Sequence, residues 1–206
     1  MKPDSSGSVL RAMNILGVIA GALMIALPFL GPWWIARAGT GAMEVALSPF
    51  DMSITVLGQS ISSDLIWLFL LAEKITIIIA GVFMILSSLL PTSWWSARLF
   101  KFGVMKPLWA IVGLIVLLIA GAFLMNNILP SFLSNMTGAA GASVHINVPY
   151  IMGTANSTIQ VGSQATITAP IKLLLTPAFW VAVVTAALCI AARIYYRRFT
   201  KQMNSQ

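Results

Sequence analysis

Glu73 and Lys74 are the charges that lie deepest in an apolar run, within Leu70-Leu71-Ala72-Glu73-Lys74-Ile75. An ionisable group in hydrocarbon is costly, so its presence points to a proton or ion relay, or to a partner that neutralises it. Adjacent helical positions point about 100° apart, so the two do not pair with each other, and Lys172 or Arg37 is the expected partner of Glu73. A structural reading is preferred over transport. Ile75 to Leu90 alone covers about 24 Å at 1.5 Å per residue, nearly a bilayer core. The pair then belongs at the outer interface, with Ser63 to Ala72 forming extra turns of helix.

Other reactive types are scarce. His145 is the single histidine and Cys189 the single cysteine. A lone histidine with no Cys, Asp or Glu near it in sequence completes no metal site and offers no paired axial ligation to haem. Met43, Met52, Met136 and Met152 have no regular spacing and read as packing rather than soft-metal ligands. Cys189 falls in an apolar run and excludes an internal disulfide. No catalytic, metal-binding or cofactor-binding constellation emerges, and a non-enzymatic protein is expected.

The elements that position these residues are set by composition. Of 206 residues only 8% are charged and 59% are hydrophobic, where a soluble domain carries about a quarter charged residues. Runs long enough to cross about 30 Å of hydrocarbon fall at 12–36, 65–90, 108–129 and 173–194. They separate a short N-terminus (1–11), an outer loop (37–64), an inner loop (91–107), a second outer loop (130–172) and a basic tail (195–206). Outside the spans, Lys2, Arg11, Arg98, Lys101, Lys106, Arg193, Arg197, Arg198 and Lys201 lie on one side, against Arg37 and Lys172 on the other. The excess side is expected in the cytoplasm, with both termini. The net charge of +7 therefore reports topology, and no nucleic-acid partner is expected. Trp33, Trp34, Trp67 and Trp180 fall toward outer ends, and Trp94, Trp95, Trp109, Tyr195 and Tyr196 toward inner ends, as interfacial anchors do. Asn135 and Asn156 open Asn-x-Thr acceptor sites in the second outer loop, consistent with that orientation.

The outer loops carry strand signals. Met43 to Leu47 and Ser53 to Gly58 flank the turn-forming Ser48-Pro49-Phe50-Asp51, which predicts a hairpin. Val144, Ile146 and Val148, then Ile159 and Val161, then Ala165 and Ile167 alternate with polar residues, and Gly162-Ser163 suits a two-residue turn. An isolated hairpin is marginal in water, so both loops are expected to share one sheet of about five strands. Ser131 to Ile171 contains no Asp, Glu, Lys or Arg. A covered surface is the preferred explanation; glycans, an acidic medium or a coat of Thr, Gln and Ser are the alternatives.

Small residues mark helix contacts. Gly17 and Gly21 form G-x-x-x-G, and Ala182 and Ala186 give the fourth run a similar face. Ile19-Ala20-Gly21-Ala22 recurs as Ile119-Ala120-Gly121-Ala122, followed by Pro28 and Pro130 respectively, which hints at a duplicated helix–sheet–helix unit.

The expected fold is an all-α four-helix membrane bundle bearing a small extracellular antiparallel sheet. In layout it resembles the claudin type of four-span architecture, with Gly31-Pro32-Trp33-Trp34 as a partial echo. The first outer loop lacks cysteine, so the resemblance implies no functional residues. The leading functional reading is an envelope component or accessory subunit in the cell membrane, whose sheet contacts another membrane or envelope protein or a second copy. The alternatives are a small transporter or channel using Glu73 and Lys74, and a non-catalytic subunit of a membrane enzyme complex.

Overall fold

A computed structural model describes residues 14–39, 41–90, 93–132, 143–145, 147–161 and 165–203. Four helical segments occur among them: α1 (Ile15–Ala26), extended by a 3-10 turn (Leu27–Phe29); α2 (Asp64–Leu89); α3 (Ser96–Phe123), prolonged by a π turn (Leu124–Ile128); and α4 (Pro177–Met203). Three helical stretches, Asp64–Leu89, Ser96–Phe132 and Pro177–Arg197, are long and apolar enough to cross a membrane.

Three of the expected runs have other bounds. The third is helical from Ser96 rather than Leu108, with Pro107 inside the helix, so most of the expected inner loop is helix. In the first and fourth, proline and glycine explain the change. The first run does not stay helical to Ala36. Its α-helix has 12 residues, about 18 Å. Pro28 lies in the 3-10 turn, Gly31 adopts a left-handed φ of 87°, and Pro32 lacks the N–H needed to continue a helix. The fourth run starts later than Leu173. Leu173 to Leu175 pair as strand, and Pro177 occupies the first helical position, which its fixed φ suits.

The chain divides into two compact units. One contains Pro32–Leu68 and Val112–Phe179 and carries an antiparallel sheet. Its strands are β1 (Trp34–Ala38), β2 (Met43–Ser48), β3 (Asp51–Val56), β4 (Gln59–Ile61), β5 (Ser143–His145), β6 (Gly153–Val161) and β7 (Ala165–Leu175), in the order β4-β3-β2-β1-β7-β6-β5. The sheet is larger than expected, because β1 joins the two loops by pairing with β2 on one side and β7 on the other. The turn between β2 and β3 falls at Pro49-Phe50, where the Ser48 hydroxyl accepts from the Phe50 and Asp51 amides. Beneath the start of β1, Trp33 is fully buried and meets Phe50 and Phe179 edge-on at 5.5 and 6.3 Å. The Thr176 hydroxyl donates to the Pro32 carbonyl, tying this corner to the end of β7.

The other unit contains the described residues of 1–31, 69–111 and 180–206 and packs helix on helix through small residues. A Cβ at Gly21 would stand 2.8 Å from the Gly81 carbonyl oxygen, and one at Gly81 the same distance from that of Gly21. A Cβ at Gly17 would collide with the Ser88 hydroxyl. Such close backbone approach is how helices gain packing energy where lipid supplies no hydrophobic drive. Gly103 of α3 likewise lies against Ala80 and Met84 of α2. Asn14 caps α1, accepting from the Gly17 amide while its side-chain amide donates to the Ala192 carbonyl and its backbone N–H to Ser88.

Candidate functional site: an apolar cavity between the sheet and the third helix

In the sheet-bearing unit, strand register sorts side chains onto two faces. Trp34 lies opposite Leu47, Ala36 opposite Val45, and Ala38 opposite Met43; across the next pair Leu47 meets Met52 and Val45 meets Ile54. Cross-strand partners share a face, so this face is apolar from β1 to β3. Leu173 and Ile171 extend it, opposite Ala36 and Ala38. The other face presents Arg37, Glu44, Ser53, Thr55, Ser60 and Lys172 by the same registers. On it Arg37 and Glu44 form an exposed ion pair at 3.1 Å, worth less than about 1 kcal/mol.

The apolar face borders a half-open cavity of about 410 Å³ against α3. Ligand cavities span about 300–1,000 Å³ and are mainly apolar. Two stripes of α3 close it, Leu117, Gly121 and Met125 on one and Leu118 and Ala122 on the other, each spaced four residues apart as one helix face requires. A Cβ at Gly121 would meet nothing within 4 Å, so the glycine there widens the space rather than permitting close packing.

The third wall is Val148-Pro149-Tyr150, and two side chains hold it. Asn126 Nδ2 donates to the Val148 carbonyl at 2.9 Å, and its Oδ1 accepts from the Val148 amide at 2.7 Å. Trp34 Nε1 donates to the Ile151 carbonyl at 2.7 Å. Asn126 lies in the π turn that follows α3, a feature that re-aims side chains and recurs at functional sites. The chemistry available is shape and dispersion. Water is a poor occupant, because a buried water needs two to four polar partners and the walls are formed by apolar side chains.

The residues singled out in the sequence are distributed as follows. Glu73 is half-buried with no ion-pair or hydrogen-bond partner among the described residues. The Lys74 ammonium lies 5.0 Å from the centre of the Phe29 ring, a cation–π contact. Arg37 is engaged by Glu44, which corrects its assignment to Glu73. Asn127, another polar residue of the apolar helices, is spent on its own helix, donating to the Phe123 carbonyl. Gly17 and Gly21 pack on α2, and Ala182, Ala186 and Cys189 are buried.

Three expected interfacial anchors need correction. Trp33 and Trp34 are buried within the protein rather than exposed as anchors would be, because Trp33 packs between Phe50 and Phe179 and Trp34 begins β1 on the sheet's apolar face. Tyr196 is also buried, stacked on Phe100 at 4.7 Å with its hydroxyl 3.1 Å from that of Ser96. Trp94, Trp109, Trp180 and Tyr195 are exposed and Trp95 half-buried. Asn156 is exposed on β6, whereas Asn135 lies outside the described residues. His145 pairs with Thr158 on β5. Among the described residues no group of three or more His, Cys, Asp or Glu is placed to hold a metal ion.

Sequence reasoning missed that Gly121 lines the cavity and that Asn126 fastens its third wall at Val148. Gly121 was legible only as half of a repeated tetrapeptide, and its two copies play opposite parts: Gly21 admits a neighbouring backbone while Gly121 leaves a void. No protein-family model matches this chain, and a search of curated proteins found no significant match.

Proposed function

We propose that this chain is a non-enzymatic multi-pass membrane protein that holds an apolar molecule in the cavity between its sheet and α3. The observation that carries this reading is the half-open space of about 410 Å³ with apolar walls on three sides, into which Gly121 projects no side chain. On this reading four helical segments anchor the chain, α1 reaching across only part of the bilayer core. On the same reading their basic ends face the cytoplasm and the sheet faces outward, an orientation that the distribution of Lys and Arg supports. Solvent extraction of protein purified in mild detergent, followed by mass spectrometry, tests the binding. The wild-type chain is expected to release an apolar molecule near one per chain that Gly121→Leu lacks; equal recovery from both sets the reading aside.

A second reading, contact with another envelope protein or a second copy, is favoured by the sheet's β4 edge. Ile61 of that strand is exposed, and Leu57 at the preceding turn is 80% exposed while holding a left-handed φ of 51°. An apolar edge without proline or lysine is a template for a further strand. Its test is the mass of the detergent-solubilised particle and the identity of co-purifying chains, both of which Ile61→Lys is expected to reduce to the single chain. A wild-type monomer that carries no other chain counts against it.

A further inference from the structure

The helical unit gathers its buried sulfur in one place. Of the methionine side chains that the structure describes, only Met24 of α1 and Met84 of α2 are fully buried, and both turn their sulfur toward the chain's single cysteine. Cys189 Sγ on α4 lies 3.8 Å from Met24 Sδ and 3.7 Å from Met84 Sδ, with all three side chains closed off from solvent. Packing alone does not demand this, because a methionine has three rotatable bonds and can present its terminal methyl as readily as its sulfur. Gly21 and Gly81, each three residues before its methionine, let α1 and α2 approach to backbone contact. That approach brings two thioethers within reach of one thiol.

Thiolate and thioether sulfurs are soft ligands, suited to Cu(I), Zn(II) or iron–sulfur clusters. A metal–sulfur bond is about 2.3 Å long, so three sulfurs spread evenly around one ion in a plane stand about 4 Å apart. The two spacings found here need only a small expansion to reach that arrangement. Charge then selects the ion. One thiolate cancels one positive charge and thioethers carry none, so a monovalent ion gives a neutral centre that an apolar interior accepts. Zn(II) would leave a buried positive charge and takes four ligands in structural sites, while iron–sulfur clusters require several thiolates.

We propose that Met24, Met84 and Cys189 form a three-sulfur binding site for Cu(I) inside the helical unit, independent of the cavity beside the sheet. Binding breaks the Cys189 S–H bond and forms a bond from sulfur to copper; the proton leaves to solvent and no oxidation state changes.

The test titrates the full chain, purified in mild detergent and free of oxygen, with Cu(I) held by a competing chelator. Metal analysis is expected to find one ion per chain, and X-ray absorption three sulfur neighbours at about 2.3 Å. Cys189→Ala is expected to abolish retention. Met24→Leu and Met84→Leu conserve core volume, and each is expected to leave two sulfur neighbours and weaken binding by about tenfold or more, the least that losing even a ligand's outer partner costs. Met43→Leu on the sheet is expected to change nothing. Metal-free leucine variants that unfold at the wild-type midpoint show that a ligand is lost and not the fold. The proposal is overturned if the wild-type chain retains no Cu(I), retains Zn(II) in preference, or holds copper through oxygen or nitrogen. Retention that survives Cys189→Ala, or both leucine variants unchanged, overturns it equally.

Discussion

Asn14 shows how much one polar side chain can organise in an apolar setting. It is 2% exposed, and its side chain and backbone N–H make hydrogen bonds to Gly17, Ala192 and Ser88. Removing an N-cap costs about 0.5–2 kcal/mol, and leaving the buried partner carbonyl unsatisfied adds about 1–3 kcal/mol. Asn14→Ala is therefore expected to lower stability by about 2–4 kcal/mol, read as a lower midpoint of unfolding in detergent; a change within error would mean water replaces the lost bonds. Leu57 predicts the opposite sign. A non-glycine residue in the left-handed region costs about 1–2 kcal/mol, and Leu57 does so on the surface. Leu57→Gly is expected to raise the unfolding midpoint slightly, whereas a drop would show that the leucine packs against something. At this scale the sequence exposed residue types well and their partners poorly. Trp33 and Trp34 look alike in the chain, yet Trp34 donates a hydrogen bond to Ile151, whereas the equally buried indole N–H of Trp33 has no partner among the described residues.

Among the elements, the contrast between Gly21 and Gly121 is the sharpest. Both occur in Ile-Ala-Gly-Ala within an apolar helix. Gly21→Leu must push α1 off α2, because a Cβ there would already stand 2.8 Å from the Gly81 carbonyl oxygen. Overpacking of this kind costs about 1–3 kcal/mol or more. Gly121→Leu enters open space and replaces a glycine inside a helix, a change worth about 0.5–1 kcal/mol in favour of the variant. Unfolding measured side by side is expected to separate the two, and equal destabilisation would contradict the cavity. Strand β1 explains why the sheet was only partly legible. Trp34 to Ala38 follows an apolar helix without polar alternation, and a short apolar run fits either state by periodicity alone. Its pairing with both β2 and β7 settles it as strand. By contrast β2 and β3 were readable, since Ser48-Pro49-Phe50-Asp51 marks the turn and the flanking residues favour strand.

For the whole molecule, orientation in the membrane has a direct check. In a Cys189→Ala background, Ser60→Cys on the sheet's polar face is expected to react with a membrane-impermeant maleimide in intact cells, and Trp94→Cys only after permeabilisation. The reverse pattern would invert the topology that the nine basic residues against two imply. The sequence by itself determined that this chain is built on long apolar helices and that its polar loops favour strands, because bulk hydropathy and period-two alternation are local properties. Tertiary structure alone decided that residues 34–61 and 143–175 share one sheet. It alone also brought the apolar face of that sheet against Leu117 to Met125, at the end of α3 and in its π turn, to form a half-open cavity. Glu73 and Lys74, the pair most suggestive of chemistry at the outset, have no ion-pair partner among the described residues. The site with a defined shape is instead made from residues with almost no polar chemistry, whose only sequence signature is that they are apolar. A cavity exists where packing leaves space between distant segments, and no single stretch of chain encodes that space.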